Sequence, residues 1–305
     1  MSVLIICEKP SVAKTVALAL GAAEQKDGYL SGDGLLVSWC IGHLISMADA
    51  GSYDERYKKW RYEDLPLLPE PFRYAPIPGK EAALDNVKRL MAREDVTEIV
   101  NACDAGREGE LIFRLVYELA GCRKPVLRLW ISSMEDSAIR EGFSELRPGA
   151  DYEALYQSAL CRQRADWLVG INATRLFSVL YHRTLNVGRV QTPTLSLLAA
   201  RDAKITLFQK EKYHHVRLTL AGAEAVSEKF TDLAAAEQAA AMCKGATVTC
   251  TSVTKEQKKE QPPKLYDLTT LQREANRLFG YTAKQTLDYA QSLYEKKLLT
   301  YPRTD

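Results

Sequence analysis

Apolar positions along the chain follow two rhythms, and the first 150 residues show them in alternation. SVLIIC at 2–7 is a short, β-rich apolar run that stops at Glu8, and the spacing after it predicts a helix capped by Ser11 and running to Gly21. The same order returns at 97–120, where TEIVNACD predicts a buried strand and GREGELIFRLVYELAG a helix with apolar residues at 111, 112, 115, 116 and 119. A third apolar run, VLRLWIS at 126–132, precedes the helical pattern MEDSAIREGFSEL. Strands alternating with helices predict a mostly parallel sheet covered on both faces. Residues 1–150 are therefore expected to form one α/β domain, with its chemistry at the carboxyl ends of the strands.

The rhythm changes after Asp151. An amphipathic helical stretch runs to about His182, and after the loop LNVGRVQ a second helix is expected from Pro193, which makes 151–208 a small helical domain. Residues 209–264 mix alternating segments (YHHVRLTLAG, ATVTCTSVT) with one Ala-rich helix, TDLAAAEQAAAMCKG, and end in the polar linker KEQKKEQPPK. This predicts a partial β-rich segment. At 265–305, TTLQREANRLFG and TAKQTLDYAQSLYEKK are two helical patterns parted by Gly-Tyr in helix-turn-helix fashion, followed by LLTYPRTD.

Composition and charge narrow the function classes. The 305 residues are 46% hydrophobic and 26% charged, and no apolar run approaches the ~18–20 residues that span a bilayer, which excludes a membrane-spanning or fibrous protein. The first apolar run has no basic region before it and no small-residue cleavage site after it. It reads as a strand and not as a signal peptide, and a cytoplasmic location follows by default. Seven cysteines (Cys7, Cys40, Cys103, Cys122, Cys161, Cys243, Cys250) form no CxxC pair, which favours reduced, buried thiols over a disulfide frame or zinc site. The net charge of +2 is unevenly divided: 1–150 carries 19 basic and 23 acidic side chains, 151–305 carries 22 and 16. An acidic half suits a metal and a basic half a polyanion, although ordinary fluctuation explains the split equally well.

Four local patterns carry candidate chemistry. Glu8 sits at the carboxyl end of the first strand, where open sheets bind ligands; a solvated loop carboxylate is the plainer reading. In DAGREGE at 104–110, Asp104 ends a buried strand while Gly106 and Gly109 permit a tight turn. Asp104, Glu108 and Glu110 are thereby crowded near a helix start, and a hard cation such as magnesium would relieve their repulsion. An acidic first turn favoured by the helix dipole remains the rival explanation. In CRQRADWLVGINATR, Arg164, Leu168, Ile171 and Arg175 share a helix face and Arg162 pairs with Asp166 at four-residue spacing; NVGRVQT then offers donors that suit a phosphate. Tyr301 is flanked by Pro302, Arg303 and Asp305, yet among fifteen tyrosines spacing alone never selects it.

Taken in order, CEKPSVAKTVA, SWCIGHL, YKKWRYEDLPLLPEPFRY, DAGREGELIFR, RLWISSM, RQRADWLVGINATR, VGRVQTPTLSLL and LLTYPRTD resemble a type IA DNA topoisomerase, most closely the bacterial topoisomerase III branch. The resemblance covers essentially the whole chain. It implies an α/β Toprim domain, then a small helical domain that binds single-stranded DNA, part of a β-rich arch, and the start of a gate domain. It implies Mg2+ held by Glu8, Asp104 and Glu108, and Tyr301 as nucleophile with Lys9 and Arg303 as cationic partners. DNA contacts carry over to Arg162, Arg164, Gly188, Arg189, Gln191 and Arg303, and by looser matches to Arg61, Asn172, Arg175 and Thr192. The implied reaction is ATP-independent cleavage and rejoining of single-stranded DNA through a 5′ phosphotyrosine. Single-stranded DNA is the expected partner and a helicase a candidate one, in a monomer that does not enter membranes.

Two departures qualify the transfer. Many family members carry a second Asp two residues after the first, and here that position is Gly106, so weaker or single-ion binding is expected, with Glu110 a candidate substitute. Family members also continue far beyond their tyrosine, whereas this sequence stops four residues after Tyr301, from which a truncated form with impaired strand passage is expected. Two other readings stay open: a non-catalytic fragment that binds single-stranded DNA, and a Toprim nuclease or primase in which Tyr301 is incidental.

Overall fold

The structure is a computed structural model that describes residues 1–249 and 251–303; Cys250 and Asp305 lie outside the described residues. The chain divides into two compact units, Met1–Gln191 with Leu265–Asp305, and Thr192–Lys264.

In chain order the first unit holds β1 (Ser2–Cys7), α1 (Pro10–Ala19), β2 (Glu24–Lys26), β3 (Tyr29–Gly32), β4 (Leu35–Trp39), β5 (Ile45–Met47) and β6 (Tyr74–Pro76). It continues with α2 (Glu81–Met91), β7 (Val96–Ala102), α3 (Arg107–Leu119), β8 (Val126–Arg128), α4 (Asp136–Ser144), β9 (Arg147–Pro148) and the long α5 (Glu153–Leu180). The second unit is built from α6 (Gln191–Thr206) beyond its first residue, the hairpin β10 (Arg217–Leu220) and β11 (Ala223–Val226), and α7 (Leu233–Cys243). The chain closes with α8 (Leu268–Phe279) and α9 (Ala283–Glu295) of the first unit.

Seven strands form the main sheet in the order β2-β3-β4-β1-β7-β8-β9. Its centre is parallel, with β1 between β4 and β7 and β8 beyond β7, while the three outer pairings are antiparallel. The expectation of a mostly parallel sheet therefore holds only for the centre. The missed strands β2 to β4 are short and partly polar, and they turn at Gly28 and at Asp33-Gly34, three residues with positive φ. DGYLSGDG contains two Asp-Gly turn signals that outweigh its weak apolar pattern.

Alternation along β1 sends Leu4 and Ile6 to one face, against α2, α3 and α5, and Ile5 and Cys7 to the other, against α1 and α4. Tyr294 and Tyr301 belong to the second core. Helix α1 starts at Pro10, not at a Ser11 cap: the cap position is Lys9, without a side-chain hydrogen bond, and the fixed φ of proline serves the first turn. Helices α8 and α9 carry strong local signals. Asp267 accepts from Thr270 N, Gly280 takes the left-handed conformation at φ 70°, and Thr282 with Gln285 forms a capping box.

The alternating segment at 246–254 forms no strand at its described positions, because alternation becomes a strand only beside a partner. Of the cysteines expected to be buried, Cys7, Cys40 and Cys103 are, Cys122 is half-buried, and Cys161 and Cys243 are exposed on helices; all six are free thiols. Among the described residues no helix is long and apolar enough to cross a membrane.

Candidate active site

Parallel pairing of β1 with β7 sets Cys7 beside Ala102, so the residues that follow each strand emerge together at the carboxyl edge of the sheet. These are Glu8, half-buried, and Asp104, 8% exposed. The turn after β7 is tight: Gly106 N donates to Asp104 O at 2.8 Å, and α3 begins at Arg107. A Cβ at Gly109 would lie 2.2 Å from Asp104 O, so the first turn of α3 rests on the Asp104 backbone only because position 109 is glycine.

Tyr301 reaches this edge from α9. Tyr294 on that helix is 1% exposed in the core shared with α1 and α4, and the chain turns back at Lys297, where φ is 64°. The Lys297 ammonium donates to the Asp136 carboxylate, and Tyr301 N donates to Ser132 O at 2.9 Å. The Tyr301 ring then packs edge-on to Tyr294, with centroids 5.4 Å apart, and its phenol lies close enough to Asp104 and Glu8 to feel both carboxyl charges. The fold thus brings Tyr301 to Asp104 and Glu8, as the resemblance requires.

Electrostatics follow from this crowding. Burial, and then the charge of Asp104, push the Glu8 carboxyl up to about 7, against the opposing charges of Lys9 and Arg303. Burial, with the charge of Asp104, raises the Tyr301 phenol above its ordinary value, and Arg303 again opposes the shift. A neutral phenol is held against two carboxyl groups with two cations at the rim.

Glu108 departs from the expected metal set. Its exposed carboxylate lies 3.3 Å from His43 Nε2 and not with Glu8 and Asp104, and among the described residues no three His, Cys, Asp or Glu side chains group closely enough to hold a metal ion. Glu110 does not substitute: it is 1% exposed and faces inward, accepting from Asn101 Nδ2 and Arg114 Nε at 2.9 Å each. Glu8 and Asp104 remain, two hard oxygen donors whose mutual repulsion a divalent cation would relieve, so the pair fits one such ion with water completing its shell.

The expected DNA contacts divide into two groups. Arg61, Arg162, Arg189 and Gln191 are exposed; Asp166 holds Arg162 at 3.7 Å and also accepts from Arg189 Nε. Gly188 packs against the Gln191 side chain, while Thr192 opens the second unit. Arg164, Asn172 and Arg175 are turned to other partners. Arg164 Nε donates to Tyr74 Oη at 3.1 Å, and Asn172 hydrogen-bonds both the N–H and the carbonyl of Leu67. Arg175 is 5% exposed beneath Trp60, because its position on α5 faces the loop that carries Leu67. Absent from the expected residues are Tyr294, His43 and Arg128; each is identified by a contact distant in sequence, which no local spacing signals.

A Toprim architecture is what this sheet defines, and residues 3–134 match the Toprim domain while residues 150–305 match the DNA topoisomerase family. The chain belongs to the type IA DNA topoisomerase family. It is 44% identical over 310 residues to DNA topoisomerase 3 of Bacillus subtilis, covering 99% of this chain and 43% of that protein. It is 43% identical over 310 residues to DNA topoisomerase 3 of Shouchella clausii, covering 99% of this chain and 42% of the relative. The solved structure of full-length topoisomerase I from Thermotoga maritima aligns with a TM-score of 0.66 at 26% identity, over 99% of this chain and 49% of that one. The chain therefore spans less than half the length of the relatives it matches.

Proposed function

We propose that this chain carries the strand-cleaving chemistry of a topoisomerase III, acting on single-stranded DNA through Tyr301. The observation that supports this most is the packing of Tyr301 at the carboxyl edge of the sheet, where its phenol senses the charges of Asp104 and Glu8 although Asp104 is almost two hundred positions away in sequence. A phenol with an ordinary pKa near 10 is a weak nucleophile, and here burial raises it further, so removal of its proton must accompany attack. The carboxyl pair is placed to take that proton. As the Tyr301 oxygen bonds to phosphorus, the bond to the 3′ oxygen breaks and that oxygen leaves with a proton as a free hydroxyl. Lys9 and Arg303 supply positive charge where the phosphoryl oxygens gain negative charge.

Glu8 and Asp104 would hold a magnesium ion, which when bound supplies charge that organises the DNA near the phosphate. Because the phosphotyrosine bond preserves the energy of the broken linkage, rejoining needs no ATP. Exposed Arg162 and Arg189 suit the strand's phosphates. Strand passage, a helicase partner, a monomeric state and a cytoplasmic location are further parts of the same proposal.

Detergent trapping after incubation with labelled single-stranded DNA and magnesium tests it. A covalent adduct that disappears in Tyr301→Phe is expected. Binding without an adduct would favour a non-catalytic DNA-binding role, and free cleaved ends without linkage a nuclease.

A further inference from the structure

Asp104 leaves the sheet just beyond the end of β7, where backbone carbonyls run out of strand partners and must find donors elsewhere. One side chain supplies them. Arg128, the last residue of β8, is 1% exposed, and its Nη1 donates to Asn101 O at 3.0 Å, Cys103 O at 2.7 Å and Leu129 O at 2.8 Å. Its Nη2 donates to Asp104 O at 2.7 Å. A planar guanidinium reaches four carbonyls on separate peptides, which the point charge of a lysine does not reproduce.

The guanidinium is itself fixed. Glu110 Oε2 lies 3.2 Å from Arg128 Nε, and Glu110 is in turn bonded to Asn101 and Arg114, so the buried cation has a buried counter-charge. Trp130 stacks over Arg128 at 5.0 Å and is backed by the Tyr152 ring, 5.1 Å from it and nearly parallel. Four residues beyond Arg128, Ser132 O receives the backbone N–H of Tyr301. One cation therefore anchors the turn that carries Asp104 and the start of the segment that docks Tyr301.

We propose that Arg128, held by Glu110 and covered by Trp130, is a positioning residue that fixes Asp104 relative to Tyr301. The inference rests on the reading of Glu8, Asp104 and Tyr301 as the cleavage centre. Its function is distinct from general core support: a purely structural arginine would stabilise the whole sheet, whereas a positioning one controls the edge where the carboxyl pair meets the phenol.

Peptide-resolved amide hydrogen exchange and Mn2+ titration of the full chain, wild type against Arg128→Lys, separate these roles. Exchange at 103–108 and at Tyr301 is expected to accelerate about tenfold or more while β1 and α1 change far less, as local opening requires. Mn2+ affinity is expected to fall about 10- to 100-fold, as when a group orienting a metal ligand is lost. Equal acceleration across β1, β7 and α1 would reduce Arg128 to core support, and unchanged exchange at 103–108 would remove it from any role at the site. If Arg128→Lys does not fold, Glu110→Gln, which keeps the shape and removes the counter-charge, is read by the same two outcomes. A wild-type chain that binds no Mn2+ would count against the metal part of the cleavage reading, while the exchange pattern would still decide the role of Arg128.

Discussion

Among the described residues Glu8 and Asp104 meet without a third carboxylate, and the position at which the resemblance would supply one is Gly106. Its backbone is extended at φ −177°, which any residue adopts, and no atom lies within 4 Å of where its Cβ would be. Gly106→Asp is therefore expected to fold and, by adding a hard donor beside the pair, to tighten magnesium binding; calorimetry showing no gain would mean that position 106 faces away from Glu8 and Asp104. Gly109 is the opposite case. A methyl there meets Asp104 O at 2.2 Å, so Gly109→Ala is expected to cost about 1–3 kcal/mol in urea denaturation and to lower adduct yield. Unchanged stability would contradict the close approach of α3 to the turn. At this scale, DAGREGE advertised a tight, acidic turn, but not that Glu110 faces the core or that Glu108 turns to His43. Those outcomes depend on Arg114 and Arg128, on α3 and β8, and on His43, none of which the spacing of the acids specifies.

The element that delivers Tyr301 is α9 with the turn after it, and one exposed ion pair ties that turn to the start of α4. The hydrogen bond and charge of Lys297 hold the Asp136 carboxyl below its ordinary value. A depressed carboxyl contributes above its unfolded pKa and loses that contribution as pH falls through the folded one, so the tie is complete at neutral pH and fades in acid, below about pH 4. Both side chains are more than a third exposed, so global stability should scarcely depend on it. Lys297→Ala is expected to speed exchange at Tyr301 N–H at pH 7, with little change in Tm and a difference that narrows towards acid. Equal exchange in the two proteins at pH 7 would exclude the tie. Elements with their own caps, α8 and α9, were legible in sequence because Asp267, Gly280, Thr282 and Gln285 act within a few residues. Strands β2 to β4 and the segment at 246–254 were not, because strand formation depends on what lies alongside.

Across the whole molecule, the acidic and basic halves of the chain correspond to a carboxylate edge on the sheet and exposed arginines on and after α5. Binding of single-stranded DNA is expected to weaken steeply with salt, with a log-log slope of about −0.7 per phosphate neutralised. A flat salt response would exclude an electrostatic groove. The family likeness located Tyr301, which periodicity and spacing left indistinguishable from fourteen other tyrosines; the contact with Asp104 that gives it meaning is a product of the complete fold. The most direct test of that contact is to digest the detergent-trapped complex and find, by mass spectrometry, which residue bears the nucleotide. The account predicts a 5′ phosphate on the peptide containing Tyr301, and a nucleotide carried by any other residue would contradict it.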